Sequence, residues 1–158
     1  MTAGATHLSK LHFIGGIAPD ADFASGTVTT DIFECLGDGA AFFIWYGTNA
    51  SSGASTLTIE ACDDTTPSNS TAVAFYYRNS TTFDTWGSWT AATTAGITVG
   101  GSADSAWWVW VDASELAAEG YGYVRAKLVE STNQEADGTV AAFVVNPRNV
   151  EQPDSLID

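Results

Sequence analysis

The chain has 158 residues, a length that predicts one domain with short terminal segments. Nineteen acidic residues stand against five Lys and Arg, and the formal net charge of −14 excludes a nucleic-acid binder because phosphate backbones would be repelled. Apolar residues make up 45% of the chain and charged residues only 15%, a balance typical of short strands joined by small-residue turns.

The sequence predicts no membrane association. No apolar run approaches the roughly 20 residues that span a bilayer, and the N-terminus lacks the charged and apolar regions of a secretion signal. We therefore expect a chain that is made and kept in a cytoplasm or leaves it without such a signal.

Residues 1–26 are predicted to form an irregular N-terminal arm. Within it, "HFIGGIAP" supplies one apolar patch and "PDADFASG" supplies turn residues. An arm this short cannot reliably bury its own apolar side chains, so we expect Leu11, His12, Phe13 and Ile14 to contact another chain.

Residues 27–146 predict an all-β fold, an antiparallel β-sandwich of jelly-roll-like type, because apolar stretches recur between closely spaced turn signals. The predicted strands are "TVTTDIFECL" (27–36), "AAFFIWYGT" (40–48), "STLTIEAC" (55–62), "TAVAFYYRN" (71–79), "TWGSWTAA" (85–92), "GITVG" (96–100), "AWWVWVD" (106–112), "YGYVRAKLVES" (121–131) and "GTVAAFVVN" (138–146). One helical turn is expected, capped by Asp112 or Ser114 and ended by Gly120. The polar segment 147–158, with two prolines, is predicted to be a short C-terminal tail.

The strand "AWWVWVD" is apolar on both faces. The alternation of a strand sends Trp107, Val109 and Val111 to one side and Trp108 and Trp110 to the other. Such a strand is either central in a two-sided core or has one face against another subunit, because exposed tryptophan is rare in quantity on monomers. The three tryptophans are therefore candidate interface residues.

The sequence predicts neither a catalytic site nor a cofactor or metal site. The histidines, His7 and His12, lie in the predicted arm, and Cys35 and Cys62 lack metal-ligand spacing. We expect both cysteines to be buried thiols rather than a disulfide. Arg125 and Lys127 share one strand face and are expected to pair with carboxylates of the chain or to lie over Tyr123.

Two alternatives to a purely structural role remain at this point. A glycosidase needs only two facing carboxylates, and the candidates are Glu34, Glu60, Glu130, Asp63 and Asp64. A carbohydrate-binding module stacks sugars on exposed aromatic rings, and Trp86 and Trp89 in "FDTWGSWT" are the candidates for such a platform, although core or interface packing is the favoured role for both.

The order of the segments resembles that of small structural proteins of tailed bacteriophages, notably capsid decoration (cement) proteins. The resemblance extends from about Phe13 to Arg148, and it is closest in "TIEACDDTTP" and in "VDASELAAEGYGYVRAKLVE", which has a "D-x-S-x-L" turn followed by a "Y-x-Y-V-R" strand. Tail and head–tail joining proteins share similar sandwiches and are the alternative within the same group.

The resemblance implies a non-enzymatic virion protein without a cofactor. Decoration proteins are assembled onto the capsid surface in the host cytoplasm, frequently as homotrimers, and they clamp neighbouring major capsid protein subunits. The implied partners are thus the major capsid protein and further copies of this chain, with no nucleic acid and no membrane. A carbohydrate-binding module remains the alternative outside phage proteins.

Overall fold

The computed structural model describes residues 10–48, 52–82, 84–132 and 135–147, and it confirms the predicted all-β sandwich. The elements in chain order are β1 (Leu11–Asp20), β2 (Thr27–Thr29), β3 (Phe33–Glu34), β4 (Gly39–Tyr46), β5 (Ala54–Cys62), β6 (Ser70–Val73), β7 (Phe75–Ser80), β8 (Thr90–Ala92), β9 (Ile97–Gly100), β10 (Ser105–Asp112), α1 (Ala113–Ala118), β11 (Tyr123–Thr132) and β12 (Gly138–Val145).

Two antiparallel sheets pack against each other. The first sheet has the strand order β1-β12-β4-β10-β7-β8, and the second has the order β2-β11-β5-β6. Strand β3 also pairs with β11, and β9 pairs with β5. The predicted strands β4 and β10 therefore lie at the centre of the first sheet, where both of their edges are hydrogen-bonded.

The core lies between the sheets and follows the two-residue alternation of their strands. Phe42, Ile44 and Val109 of the first sheet are fully buried, as are Leu57 and Ile59 of the second. A hydrogen bond crosses this layer, since the buried Tyr46 hydroxyl donates to Ser55 Oγ at 3.2 Å. The polar atom of the largest fully buried side chain is thus satisfied within the sandwich.

The structure corrects the expected irregular arm. Residues 11–20 form β1, which pairs with β12 along the edge of the first sheet, with a register shift between Phe13 and Gly15. Gly16 permits this pairing, because a Cβ at that position would collide with the carbonyl of Val140. Residues 1–9 and all of the predicted tail except Pro147 lie outside the described residues.

Two predicted strands are each divided in the structure. Segment 27–36 becomes β2 and β3, separated at Thr30, whose N–H donates to Ala126 O at 2.9 Å and whose hydroxyl oxygen accepts from Ala126 N–H at 3.0 Å. Segment 71–79 breaks at Ala74, where the chain leaves the second sheet as β6 and enters the first as β7. Of the predicted strand 85–92, only β8 pairs with another strand.

The helical turn is found where the sequence predicts it. Helix α1 has six residues, and its N-cap, Asp112, accepts a hydrogen bond from Ser114 N–H at 2.9 Å. Gly120 follows the helix with a φ of 80°, a left-handed conformation that favours glycine. Across the described ranges, no helix is long and apolar enough to cross a membrane.

The position of Trp107 in the core gives a stability prediction. Its side chain is 4% exposed, whereas Tyr76 on the neighbouring strand is 52% exposed. We expect Trp107→Ala to lower the free energy of unfolding by about 3–5 kcal/mol because it leaves a cavity between the sheets. Tyr76→Ala, the matched control, should cost about 1 kcal/mol or less. Urea unfolding measures both, and equal losses would contradict the described placement of β10.

Candidate functional site: an aromatic sheet face

The outer side of the first sheet carries a continuous set of aromatic residues. We call this surface the aromatic face and define it by Phe13, Phe43, Trp45, Tyr76, Trp108, Trp110 and Phe143. The register aligns these residues across the strands: Trp108 lies opposite Phe43 on one side, and Trp110 lies opposite Tyr76 on the other. The face is therefore a product of strand order rather than of any one segment.

Four rings of the aromatic face form a chain of contacts. The ring centroids of Phe43 and Trp108 are 4.9 Å apart, those of Trp108 and Phe143 are 6.1 Å apart, and those of Phe13 and Phe143 are 5.6 Å apart. Phe13 nevertheless remains 61% exposed and Trp45 43% exposed. A cluster of partly exposed rings on this scale is characteristic of an interaction surface.

The structure separates the predicted interface residues into two groups. Leu11 and Phe13 are exposed on β1, and Trp108 and Trp110 are half-buried on the outer side of β10. These four side chains are available to a partner. The alternation predicted for β10 is confirmed.

Ile14 and Trp107 correct the prediction. Both belong to the core, with exposed fractions of 6% and 4%, because strand alternation turns Ile14 of β1 and Trp107 of β10 inward. Neither can reach a partner in the folded chain. His12 is partly buried, and its Nε2 atom is buried without a hydrogen-bond partner among the described residues.

The two candidate sugar-stacking tryptophans are held around an arginine. The guanidinium carbon of Arg78 lies 5.1 Å from the ring centroid of Trp86 and 5.1 Å from that of Trp89. Arg78 in turn lies opposite Trp108 in the sheet. The cation is attracted to both indole rings, so these rings already have an intramolecular stacking partner at the β7 side of the aromatic face.

The outer side of the second sheet is polar and holds a charge cluster. Glu60 Oε2 is 2.6 Å from the guanidinium NH2 nitrogen of Arg125 and accepts from Nε of the same group at 2.8 Å. Lys127 Nζ donates to Glu60 Oε1 at 2.9 Å. The expected pairing of these two cations with a carboxylate of the chain is confirmed.

This cluster sets the ionisation of Glu60. Burial of the carboxyl group would by itself raise its pKa, but the hydrogen bonds and charges of Lys127 and Arg125 outweigh that effect and hold the pKa below the ordinary value of 4.5. Glu60 is therefore a structural anion that joins β5 to β11.

Two of the other carboxylates considered for catalysis, Glu130 and Asp63, also have structural contacts. Glu130 Oε2 accepts from Gly26 N–H at 2.9 Å, and Asp63 Oδ2 accepts from Ser68 and Asn69, both at 3.0 Å. In the part of the chain that the structure describes, no group of three or more His, Cys, Asp or Glu residues could hold a metal ion.

Cys62 is buried as a thiol. Burial raises its pKa to about 11, so the reactive thiolate form is suppressed. Cys35 is only partly buried.

A groove at the end of the aromatic face was not predicted. Trp45 lies between a cavity of about 560 Å³ and a second one of about 320 Å³, and Asp104 lines both. The first cavity is also lined by Asp20 and Asp137, and the second by Asp84. We call this feature the Trp45 groove. Asp20 ends β1, Asp104 and Asp137 directly precede β10 and β12, and Asp84 lies in the loop after β7, so only the strand order brings the four together.

The Glu60 cluster generates a pH prediction. Because the folded-state pKa is depressed, the cluster adds stability above the unfolded-state value of about 4.5 and loses it as the pH falls through the folded-state pKa. We expect Glu60→Gln to lower the free energy of unfolding by about 1–3 kcal/mol at neutral pH, since it leaves two cations without their anion. The difference from the unsubstituted chain should shrink in acid.

Urea unfolding at pH values from neutral to acid measures this effect. Glu135→Gln, which removes an exposed carboxylate, is the control and should change stability by about 0.5 kcal/mol or less at each pH. A Glu60→Gln difference that stays constant through the acid range would contradict the assigned ion cluster.

Comparison with known proteins yields one structural similarity. No family model matches the chain, and no curated protein matches it. The crystal structure of the SPBc2 prophage-derived protein YomS is similar with a TM-score of 0.41 and 18% sequence identity, over 85% of this chain and 92% of that one. At this identity and TM-score, the similarity assigns neither a family nor a function.

Proposed function

We propose that this chain is a non-enzymatic structural protein of a bacteriophage particle and that it binds the outside of the capsid through the aromatic face. Bound there, it stabilises the contacts between major capsid protein subunits. The observation that carries the proposal is the aromatic face itself, whose rings lie on the outer side of the first sheet while a full core is already present on the inner side.

The energetics of the aromatic face support a docking role. Fully burying one large apolar side chain contributes about 1.5–3 kcal/mol, so covering several of the rings offsets the cost of association. Aromatic residues in a contiguous cluster are also the residue type that most often dominates binding energy. Phe13 and Trp45 retain the largest exposed fractions among the Phe and Trp of this face and would gain the most from being covered.

The polar residues support a non-enzymatic role. Glu60 is neutralised by two cations, Glu130 accepts a hydrogen bond from Gly26 N–H, and Asp63 accepts from side chains of its own loop. The pKa values of Glu60 and Asp63 are lowered and that of the Cys62 thiol is raised, so all three are shifted away from the range suited to proton transfer near neutral pH.

The identification with a capsid rests on the resemblance in segment order to capsid decoration proteins. In that setting, the chain assembles as a trimer, with the major capsid protein as its partner and the capsid surface as its location. Symmetry multiplies modest contacts, because one trimer touching several capsid subunits gains effective concentration at each further contact.

A position elsewhere in the virion, such as the tail or the head–tail joint, is the second candidate, because the aromatic face would serve equally well there. A carbohydrate-binding module is supported less well. Its best platform, Trp86 and Trp89, is stacked on Arg78, and a sugar would have to displace that cation or use the remaining ring surface.

The abundance of the chain in phage particles tests this proposal. Quantitative mass spectrometry of purified particles from the source phage should find about one copy for each major capsid subunit, because a decoration protein follows the symmetry of the shell. Roughly a few copies per hundred capsid subunits would instead support a tail or joint position. Absence from the particle would overturn the proposal.

A further inference from the structure

The Trp45 groove is built from adjacent strand ends of the first sheet. Strands β1, β12, β4 and β10 are neighbours, and their antiparallel order places the end of β1, the start of β12, the end of β4 and the start of β10 at one margin. Asp20 ends β1, Asp137 precedes β12, Trp45 lies near the end of β4, and Asp104 precedes β10. One indole and three carboxylates therefore share a short length of the sheet margin.

Backbone hydrogen bonds fix two of these aspartates on either side of β4. Asp104 N–H donates to Gly47 O at 2.9 Å, and Asp137 N–H donates to Thr48 O at 3.0 Å. Gly47 N–H returns a bond to Asp137 O at 2.9 Å. The backbone at Asp104 and Asp137 is thereby held by the sheet, which lowers the entropy cost of binding a ligand there.

Within the described residues, no basic side chain forms an ion pair with the carboxylates of the groove. Over residues 10–48, 52–82, 84–132 and 135–147, the ion pairs are those of Arg125 and Lys127 with Glu60, on the second sheet. Arg78 is engaged with two indole rings. The carboxylates of Asp104 and Asp137 have no cationic partner within these residues.

An exposed indole beside carboxylates has the chemistry that recognises a guanidinium or ammonium group. The ring attracts the cation over its face, and the carboxylates accept its hydrogen bonds. Phosphate and carboxylate ligands are repelled from the same position. The groove also continues directly from the apolar part of the aromatic face through Phe43, which lines the second cavity with Trp45. A ligand in the groove can thus belong to the same partner that covers the rings.

We propose that the Trp45 groove docks an arginine- or lysine-bearing segment of a protein partner, with Trp45 stacking on the cation and Asp104 and Asp137 pairing with it. The inference rests on the proposed function only in naming a capsid protein as the partner. The binding of a cationic side chain by the groove does not depend on which protein carries it. The partner surface is accordingly apolar where it meets Phe13, Trp108 and Phe143 and basic where it meets Trp45.

The groove can be tested without knowing the partner. The probe is a tetra-arginine peptide, and its control is the tetra-citrulline peptide, which keeps the shape of the side chain and removes its charge. The variant Asp104→Asn/Asp137→Asn removes two groove charges. The variant Asp64→Asn/Glu115→Gln removes two exposed charges from the loop after β5 and from α1, so both variants have the same net charge.

We expect tetra-arginine to bind the unsubstituted chain with salt-sensitive affinity and at least about tenfold more tightly than tetra-citrulline, as measured by fluorescence titration or NMR. The groove variant should lose about tenfold in affinity and the control variant about twofold or less. Trp45→Ala should weaken binding, and Trp45→Phe should restore part of it. Equal losses in the two charge variants, or equal binding of the two peptides, would overturn the proposal.

Particle binding separates this inference from the proposed function. If the chain binds capsids lacking it but the groove variant binds as well as the control variant, the inference fails while the capsid role stands. If tetra-arginine binds the groove as expected and the chain does not bind capsids, the capsid role fails and the cation site stands. Binding of free arginine amide as tightly as the peptide would show a small-amine site and would also overturn a peptide-docking role.

Discussion

The central constraint on this structure is that β4 and β10 are apolar on both sides. They are hydrogen-bonded to each other in the middle of a six-stranded sheet, so every second side chain points into the sandwich and the others point out. The inward set, with Phe42, Ile44 and Trp107, meets the second sheet and forms the core. The outward set, with Phe43 and Trp108, is covered among the described residues only by its own neighbours. Stability accounts for the first set, and the proposed docking role is our explanation for the second.

The two sheets also differ in the charges on their outer sides. On the second sheet, the two basic residues of β11 form ion pairs with Glu60 and so join neighbouring strands. The guanidinium group of Arg78 forms cation–π contacts with two tryptophans. The margin of the aromatic face is left with aspartates, which favour a basic partner and disfavour a second copy of the same face, because like charges would oppose each other.

Local patterns made much of the fold predictable. Apolar stretches between turn signals identified the strands that became β4, β5, β10, β11 and β12, and the Asp112 cap and Gly120 located the helical turn. Sequence reasoning failed where tertiary pairing decides the outcome. The glycines of β1 suggest a loop until β12 is placed beside them, and nothing local marks Ala74 as the point where the chain changes sheets.

The site was predictable to the same degree. Trp108 and Trp110 could be found from the alternation of one strand, whereas Ile14 was misplaced because residues 11–20 were expected to form an irregular arm and become a strand only by pairing with β12. The Trp45 groove could not be predicted from the sequence for a related reason. Asp20, Asp104 and Asp137 are far apart in the sequence, and their proximity follows from the order of four strands that no single segment encodes.

Hydroxyl-radical footprinting with mass spectrometry shows directly whether the aromatic face is the surface covered in the assembled particle. Labelling of Phe13, Trp45 and Trp108 is compared between the isolated chain and the particle, with Tyr123 on the outer side of the second sheet as the internal reference. We expect strong protection of the three aromatic-face residues and little change at Tyr123. Protection of Tyr123 with unchanged labelling of Phe13, Trp45 and Trp108 would contradict it.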